Sequence, residues 1–315
     1  MFAVAGESLV DLVEQPEGNY FPAPGGAPYN FARALALQGV DAGYLNPFSS
    51  DAFGRLLETT LTDSGARHLG RIVAAPTSLA VVATNARGEA SYSFYREGTA
   101  DRLTDGDDLA ARVPAHAFGL HTGGLALVPT DVGHIASVML AMRAKGVVCT
   151  LDVNARPAVV ASMGVSPTDY RHAVLSACGL ADILKVSDED LRHLDLPTDG
   201  PTAARIFLDA GCALVILTLG DRGAEAIGAD FHVREPALPV DVVDSVGAGD
   251  CFFAGFIASL VRSGTLTRVA AGHADPVVVQ EALAHASACA SINLARTGCQ
   301  PATWAEARAG LLMAN

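Results

Sequence analysis

The stretch Asp244-Ser245-Val246-Gly247-Ala248-Gly249-Asp250 decides how the rest of the chain is read. Upstream, Pro239-Val240-Asp241-Val242-Val243 has the β-branched character of a strand, and downstream the uncharged run 251–261 has the character of a buried helix. A Gly-Ala-Gly corner at a helix start leaves backbone N–H groups unpaired, and the helix dipole adds about half a positive charge there. Such a corner seats an anion, usually phosphate. Asp250 would repel that anion unless it had other work. Taking a proton from an alcohol while the seat absorbs the charge of a moving phosphoryl group is work that fits. The plainer reading is a capped helix with Asp250 merely favourable in its first turn. A Rossmann loop fails because Phe252 stands at the third glycine position. No G-x-x-x-x-G-K-[ST] run occurs, and Lys145 and Lys185 are the only lysines, which argues against a Walker-type ATPase.

Working outward, strands at 118–121, 147–152, 183–186 and 214–219 alternate with helices at 130–144, 167–178 and 202–210. That order predicts parallel βαβ units and a doubly wound sheet, with ligands beyond the carboxyl ends of the strands. A first strand is expected at 2–6, a chain break at Pro22-Ala23-Pro24-Gly25-Gly26, a helix at 28–38, and a helix from 51 capped by Asp51. Two β-rich runs flank Asn85-Ala86-Arg87-Gly88-Glu89, which reads as a hairpin whose aromatics at 92, 94 and 95 imply a partly covered face. A second hairpin is expected at 224–233 and terminal helices at 276–295 and 302–312. One α/β domain, 1–315, with a small β appendage is the simplest partition.

Polar residues cluster at the expected strand ends. Asp11 follows the first strand; Gly25-Gly26 permits close backbone approach, and Asn30 offers a donor and an acceptor to a hydroxylated ligand. Asp152, Asn154 and Arg156 alternate after another strand, where Arg156 suits a phosphate or carboxylate and a solvated loop is the alternative. In Lys185-Val186-Ser187-Asp188-Glu189-Asp190 the carboxylates suit either hydrated Mg²⁺ or, more commonly, a helix cap by Ser187 and Asp190. Thr218-Leu219-Gly220-Asp221-Arg222-Gly223 suits a nucleotide loop or a simple turn.

Composition narrows the classes further. The 315 residues carry a net charge of −13, which argues against nucleic acid and anionic membranes as partners. Six scattered cysteines without a C-x-x-C pair read as reduced core residues of a cytoplasmic protein, with Cys251 a packing residue rather than a nucleophile. The start lacks a basic n-region, no apolar run reaches membrane-spanning length, and the nine histidines show no zinc spacing.

Taken together, these stretches resemble the ribokinase family of sugar kinases, also called the phosphofructokinase B family, from about Val4 to Pro301. Asp244 to Asp250 matches the family signature D-[ST]-x-G-A-G-D at each fixed position. Gly25-Gly26-Ala27-Pro28-Tyr29-Asn30-Phe31-Ala32 is similar to its first signature, Thr218-Leu219-Gly220 with Gly223 to its nucleotide loop, and Arg296-Thr297-Gly298 to its late R-x-G. The resemblance implies a ribokinase-like doubly wound, mainly parallel sheet with helices on both faces and a small β-sheet lid from strands near 8–21 and 77–100. It implies Asp250 as base and Gly247, Ala248 and Gly249 as anion hole. Asp11, Gly25, Gly26, Asn30, Arg96, Asn154 and Arg156 would hold the sugar, with Arg96 reaching in from the lid. Lys185, Thr218, Gly220, Gly223, Gly247 and Gly249 would bind ATP. Ser187 and Asp190 stand where the family has N-x-x-E, so Asp190 would hold Mg²⁺ through water. A monovalent cation such as K⁺ would lie by Asp244 and Val246, and a homodimer would form through the lid. Within the family, Phe94 to Arg102 and Asp152-x-Asn154-x-Arg156 look most like bacterial fructokinases. A 2-keto-3-deoxygluconate kinase and a ribokinase-type kinase are the alternatives, and a non-catalytic sugar sensor is the alternative of another class. Tyr29 would narrow the sugar pocket.

Overall fold

In the computed structural model, which describes residues 1–15, 18–84 and 90–314, a nine-stranded sheet forms the body. Its strands run, in spatial order, His232–Glu235, Ala224–Ile227, Leu214–Thr218, Ile183–Ser187, Val148–Asp152, Gly119–Gly123, Phe2–Val4, Ala42–Tyr44 and Arg67–His68. The last seven are mutually parallel; the first two pair antiparallel, as the expected hairpin. Phe2–Val4 lies inside the sheet, and the chain winds away from it in both directions. The carboxyl ends beside it therefore frame a crevice of the kind that binds ligands in doubly wound sheets.

Each face of the sheet has its own core. One packs Ile135, Val138 and Met142 of the helix Val132–Arg143 with Val174 and Phe207 from two further helices. The other packs Phe31 and Leu35 of the helix Ala27–Leu37 against Phe253, Phe256 and Ile257 of the helix Ala248–Arg262. That second helix also lies along Pro276–Leu294, so little of it meets solvent. The uncharged run read from the sequence is this buried helix, and its burial fixes the Gly247 corner rigidly at the crevice.

A separate four-stranded sheet, in the order Tyr20–Gly25, Leu9–Glu14, Ser78–Thr84 and Ala90–Tyr95, forms the small appendage. The expected turn at 85–89 falls on residues outside those described. Phe21 and Tyr95, on opposite faces of this sheet, are about three-fifths exposed, at 61% and 60%. Two expectations are corrected here. Residues 22–26 do not break the chain, because Pro22 and Pro24 sit within Tyr20–Gly25. That strand is at the sheet edge, where a missing N–H costs no ladder bond. Residues 239–243 form no strand: Val242 and Val243 stand 63% and 61% exposed, and His232–Glu235 already occupies the sheet edge. The other elements fall within a few residues of expectation, the helix Pro167–Cys178 at the expected bounds. Asp51 caps its helix by accepting from the Gly54 amide at 2.7 Å. All six cysteines are buried and unbridged. Among the described residues no helix is long and apolar enough to cross a membrane.

Candidate active site

Gly247 begins the helix Ala248–Arg262 with φ 74°, a conformation that favours glycine, and no side chain caps the helix. A Cβ at Gly247 would also strike Cys299 Sγ. The amides of Gly249 and Asp250 find no acceptor among the described residues, so the corner has the open donors of an anion seat. Beside it the Asp250 carboxylate is buried, at 7% exposure, and its Oδ2 accepts from Asn30 Nδ2 at 3.0 Å. Asn30 reaches it from the helix Ala27–Leu37, which the Gly26 cap starts at φ 107°. A Cβ at Gly26 would lie 2.5 Å from the Glu7 carbonyl oxygen, so glycine is required for this close approach.

Behind the seat, Lys185 Nζ donates to both oxygens of Asp152 at 2.9 Å, with both side chains buried. A Cβ on Gly249 would be 3.2 Å from Lys185 Nζ, which places the ammonium against the seat. Burial lowers the Lys185 pKa, but the carboxylates of Asp152 and Asp190 more than reverse it, so the ammonium stays charged. Burial, followed by repulsion from Asp152, pushes Asp250 up to about 7, although Asn30, Lys185 and Arg156 pull the other way. Burial likewise raises Asp11 to about 6 and Glu7 to about 7.

These groups line one cleft of about 1780 Å³. At one end stand Asp11, Gly26, Asn30, Asn154 and Arg156, with Phe21, Val82 and Phe94 contributed by the small sheet. At the other stand Thr218, Gly220, Gly223, Val240 and Val242, facing Ala290 and Ser291 of the helix Pro276–Leu294. Lys185, Gly247, Ala248, Gly249 and Asp250 lie on its wall as well. The cleft thus has a polar end under the small sheet and a more apolar end beyond the Gly247 corner.

Four expectations change in detail. Gly25 does not line the cleft; a Cβ there would strike the Asp11 carboxylate, so its part is to admit Asp11. Arg96 does not reach the cleft either, because it turns toward Asp131 at 3.4 Å and lines a smaller adjoining cavity. Asp190 closes a capping box with Ser187, its Oδ2 accepting from the Ser187 amide at 2.8 Å and its Oδ1 from Ala155 at 2.7 Å. It braces two backbone segments. Asp244 accepts from the amides of Val246 and Gly298 at 3.0 and 2.8 Å, while the Val246 carbonyl accepts from Asn293 at 2.8 Å. That set ties down the loop before the seat.

The sequence reading missed Glu7, buried at the end of the first strand, where the strand-end rule points. His121 is a core residue, stacked 3.6 Å from Phe31 with its pKa held well below the usual value by burial. Among the described residues no group of three or more His, Cys, Asp or Glu is placed to hold a metal.

Residues 3–306 match the sequence model described as pfkB family carbohydrate kinase. The chain belongs to this family. A curated fructokinase of Rhizobium leguminosarum bv. trifolii is 33% identical over 273 residues, covering 85% of this chain and 82% of that one. Among solved structures, a fructokinase of Vibrio cholerae O395 in fructose-, ADP- and calcium-bound form has a TM-score of 0.83 at 26% identity, over 98% of each chain. An aminoimidazole riboside kinase of Salmonella enterica, complexed with aminoimidazole riboside and an ATP analog, has a TM-score of 0.81 at 26% identity, over 98% of this chain and 99% of that one. As a pfkB family carbohydrate kinase, the protein is a phosphotransferase acting on a sugar hydroxyl, and its nine-stranded and four-stranded sheets are the body and small sheet of the ribokinase-like fold.

Proposed function

We propose that this kinase transfers the γ-phosphoryl group of ATP to a primary hydroxyl of a small neutral sugar, fructose first among candidates. The observation that carries the proposal is the pairing of a buried Asp250, oriented by Asn30, with the uncapped amides of Gly249 and Asp250 itself. The fructokinase relative and the fructose- and ADP-bound neighbour support fructose as the acceptor.

In this reading the sugar lies under the small sheet between Asp11, Gly26, Asn30, Asn154 and Arg156. The nucleotide extends along Thr218, Gly220 and Gly223. Asp250 takes the proton of the acceptor hydroxyl as its oxygen bonds to the γ-phosphorus and the bond to ADP breaks. The 247–249 corner, with Lys185 behind it, stabilises charge on the transferring group through donors already in place. Mg²⁺ keeps most of its waters and needs one or two protein carboxylates. Glu189, exposed on the cleft, suits such a contact better than Asp190, whose oxygens already serve backbone amides. The metal would neutralise phosphate charge.

The test is Asp250→Asn. Turnover should fall by about two decades or more, while fructose binding measured by calorimetry persists. Unchanged turnover refutes the assigned base. A panel of fructose, ribose, 2-keto-3-deoxygluconate and aminoimidazole riboside with MgATP tests the acceptor. Faster phosphorylation of any of the last three would displace fructose. Absence of sugar-dependent ADP release would favour a sensor.

A further inference from the structure

The small sheet is joined to the body through a buried polar knot. Ser78 Oγ, where one of its strands begins, donates to Asp101 Oδ1 at 2.5 Å, and Thr99 Oγ1 donates to the same oxygen at 3.0 Å. Asn46 Nδ2 donates to the Asp101 carbonyl at 2.9 Å and its Oδ1 accepts from the Gly6 amide at 2.8 Å. Glu7 precedes a second strand of the sheet and Arg96 follows a third. Both line a cavity of about 210 Å³ together with Asp101. Glu7 Oε2, Arg96 Nε and Asp101 Oδ2 are all buried and have no hydrogen-bond partner among the described residues.

Three buried polar atoms without hydrogen-bond partners around a cavity of that size call for bridging water, which typically makes about three hydrogen bonds. Glu7 is the one of the three that also lines the catalytic cleft. Its Oε1 accepts from the Ala27 amide at 3.2 Å. Ala27 opens the helix that carries Asn30 one turn later, and Asn30 holds Asp250.

We infer that Glu7 is a positioning residue that ties the root of the small sheet to the acceptor site. One oxygen fixes the helix start that presents Asn30, and the other is bridged through water to Arg96 in the adjoining cavity. The inference rests on the reading of Asn30 and Asp250 given above. It assigns Arg96 an indirect part in sugar binding, exerted through Glu7.

A double-mutant cycle between Glu7→Ala and Arg96→Met, with Glu7→Gln as the conservative variant, tests it. Glu7→Ala should raise the sugar KM about ten-fold and Arg96→Met about three-fold, with the double variant no worse than Glu7→Ala alone, since residues in one network are non-additive. Glu7→Gln keeps an acceptor for Ala27 and should recover most of the loss. Hydrogen exchange at the Ala27 amide gives a readout that needs no substrate. It should quicken in Glu7→Ala and Arg96→Met and stay near wild type in Glu7→Gln. Additive KM effects, or unchanged Ala27 exchange in Arg96→Met, overturn the inference. So does a lower melting temperature with KM and exchange unmoved, which is what loosened packing alone would give. A wild-type protein that phosphorylates no sugar would sink the functional reading, while the exchange measurements would still decide the link between Arg96 and Glu7.

Discussion

The raised pKa of Asp250 makes the pH dependence of catalysis a direct test of the site. With Asp250 at about 7, the proposed base is only about one-tenth ionised one unit lower, at pH 6. The kcat/KM for sugar at low MgATP, where the free enzyme predominates, should climb about ten-fold from pH 6 to a plateau above pH 8. An aspartate near its ordinary value of 3.8 would leave the profile flat over that range. Glu7 and Asp11 titrate nearby, at about 7 and about 6, so the limb must be assigned by perturbation. Asn30 donates to the Asp250 carboxylate at 3.0 Å. A hydrogen bond to a charged group contributes about 1.5–3 kcal/mol, and each pKa unit corresponds to about 1.4 kcal/mol. Asn30→Ala should therefore move the acid limb up by about one to two units, because the charged form loses its partner. A coupled assay of ADP release between pH 5.5 and 9.5 measures both profiles. A flat wild-type profile, or a limb that Asn30→Ala leaves in place or moves downward, refutes the reasoning.

Three further outcomes follow from the same geometry. Gly249→Ala puts a methyl group 3.2 Å from Lys185 Nζ inside the seat, so kcat should fall at least about ten-fold with little change in melting temperature, since alanine suits a helix better than glycine. Lys185→Met strands the buried Asp152 carboxylate, and breaking one side of such a pair costs about 3–5 kcal/mol, read by urea denaturation; adding Asp152→Asn should restore part of it. Without ligand, stability should fall as pH rises. Glu7, Asp11 and Asp250 bind protons more tightly folded than unfolded, so their contribution is complete below the unfolded pKa near 4 and is lost as pH passes 6 to 7. Denaturation midpoints at pH 5, 6.5 and 8 measure it, and a rising series would contradict the burial of these groups.

The parts legible in the sequence were those fixed by local chemistry. The alternation after residue 117 gave the parallel sheet because βαβ periodicity survives in a single chain. The Gly247 corner was readable because few residue types tolerate its backbone. The errors arose where tertiary context overrode local preference. Pro22 and Pro24 read as a break, yet an edge strand accommodates them. Val240, Val242 and Val243 read as a strand, but with the sheet edge occupied they became an exposed segment beside the cleft. Arg96 was expected at the sugar from the family resemblance alone, and no local pattern reveals Asp131, brought to it from the start of a distant helix. Glu7 is a lone acid after a strand, and only the fold shows that it bridges two cavities.

Under the proposed function, the electrostatics of the cleft also explain why the phosphate seat would be made of backbone. The chain carries a net charge of −13, so its overall field repels a nucleotide triphosphate and cannot steer it inward. The one lysine at the seat is already matched to Asp152, and the pair together is nearly neutral at a distance. In the proposed reading, attraction for phosphate therefore comes from short-range donors, the open amides of Gly249 and Asp250 and the dipole of the helix behind them, whose influence fades within a turn. This arrangement keeps the carboxylate of Asp250 beside the seat without drawing it into a salt bridge that would lower its pKa and weaken it in the proposed role of base. Among the described residues its one side-chain hydrogen bond comes from an uncharged amide, Asn30, and the nearest strong cation is held by another acid. A lysine freed from Asp152 would bind phosphate more strongly, but it would also pull Asp250 toward the ordinary carboxylate range, where its affinity for a hydroxyl proton is poor.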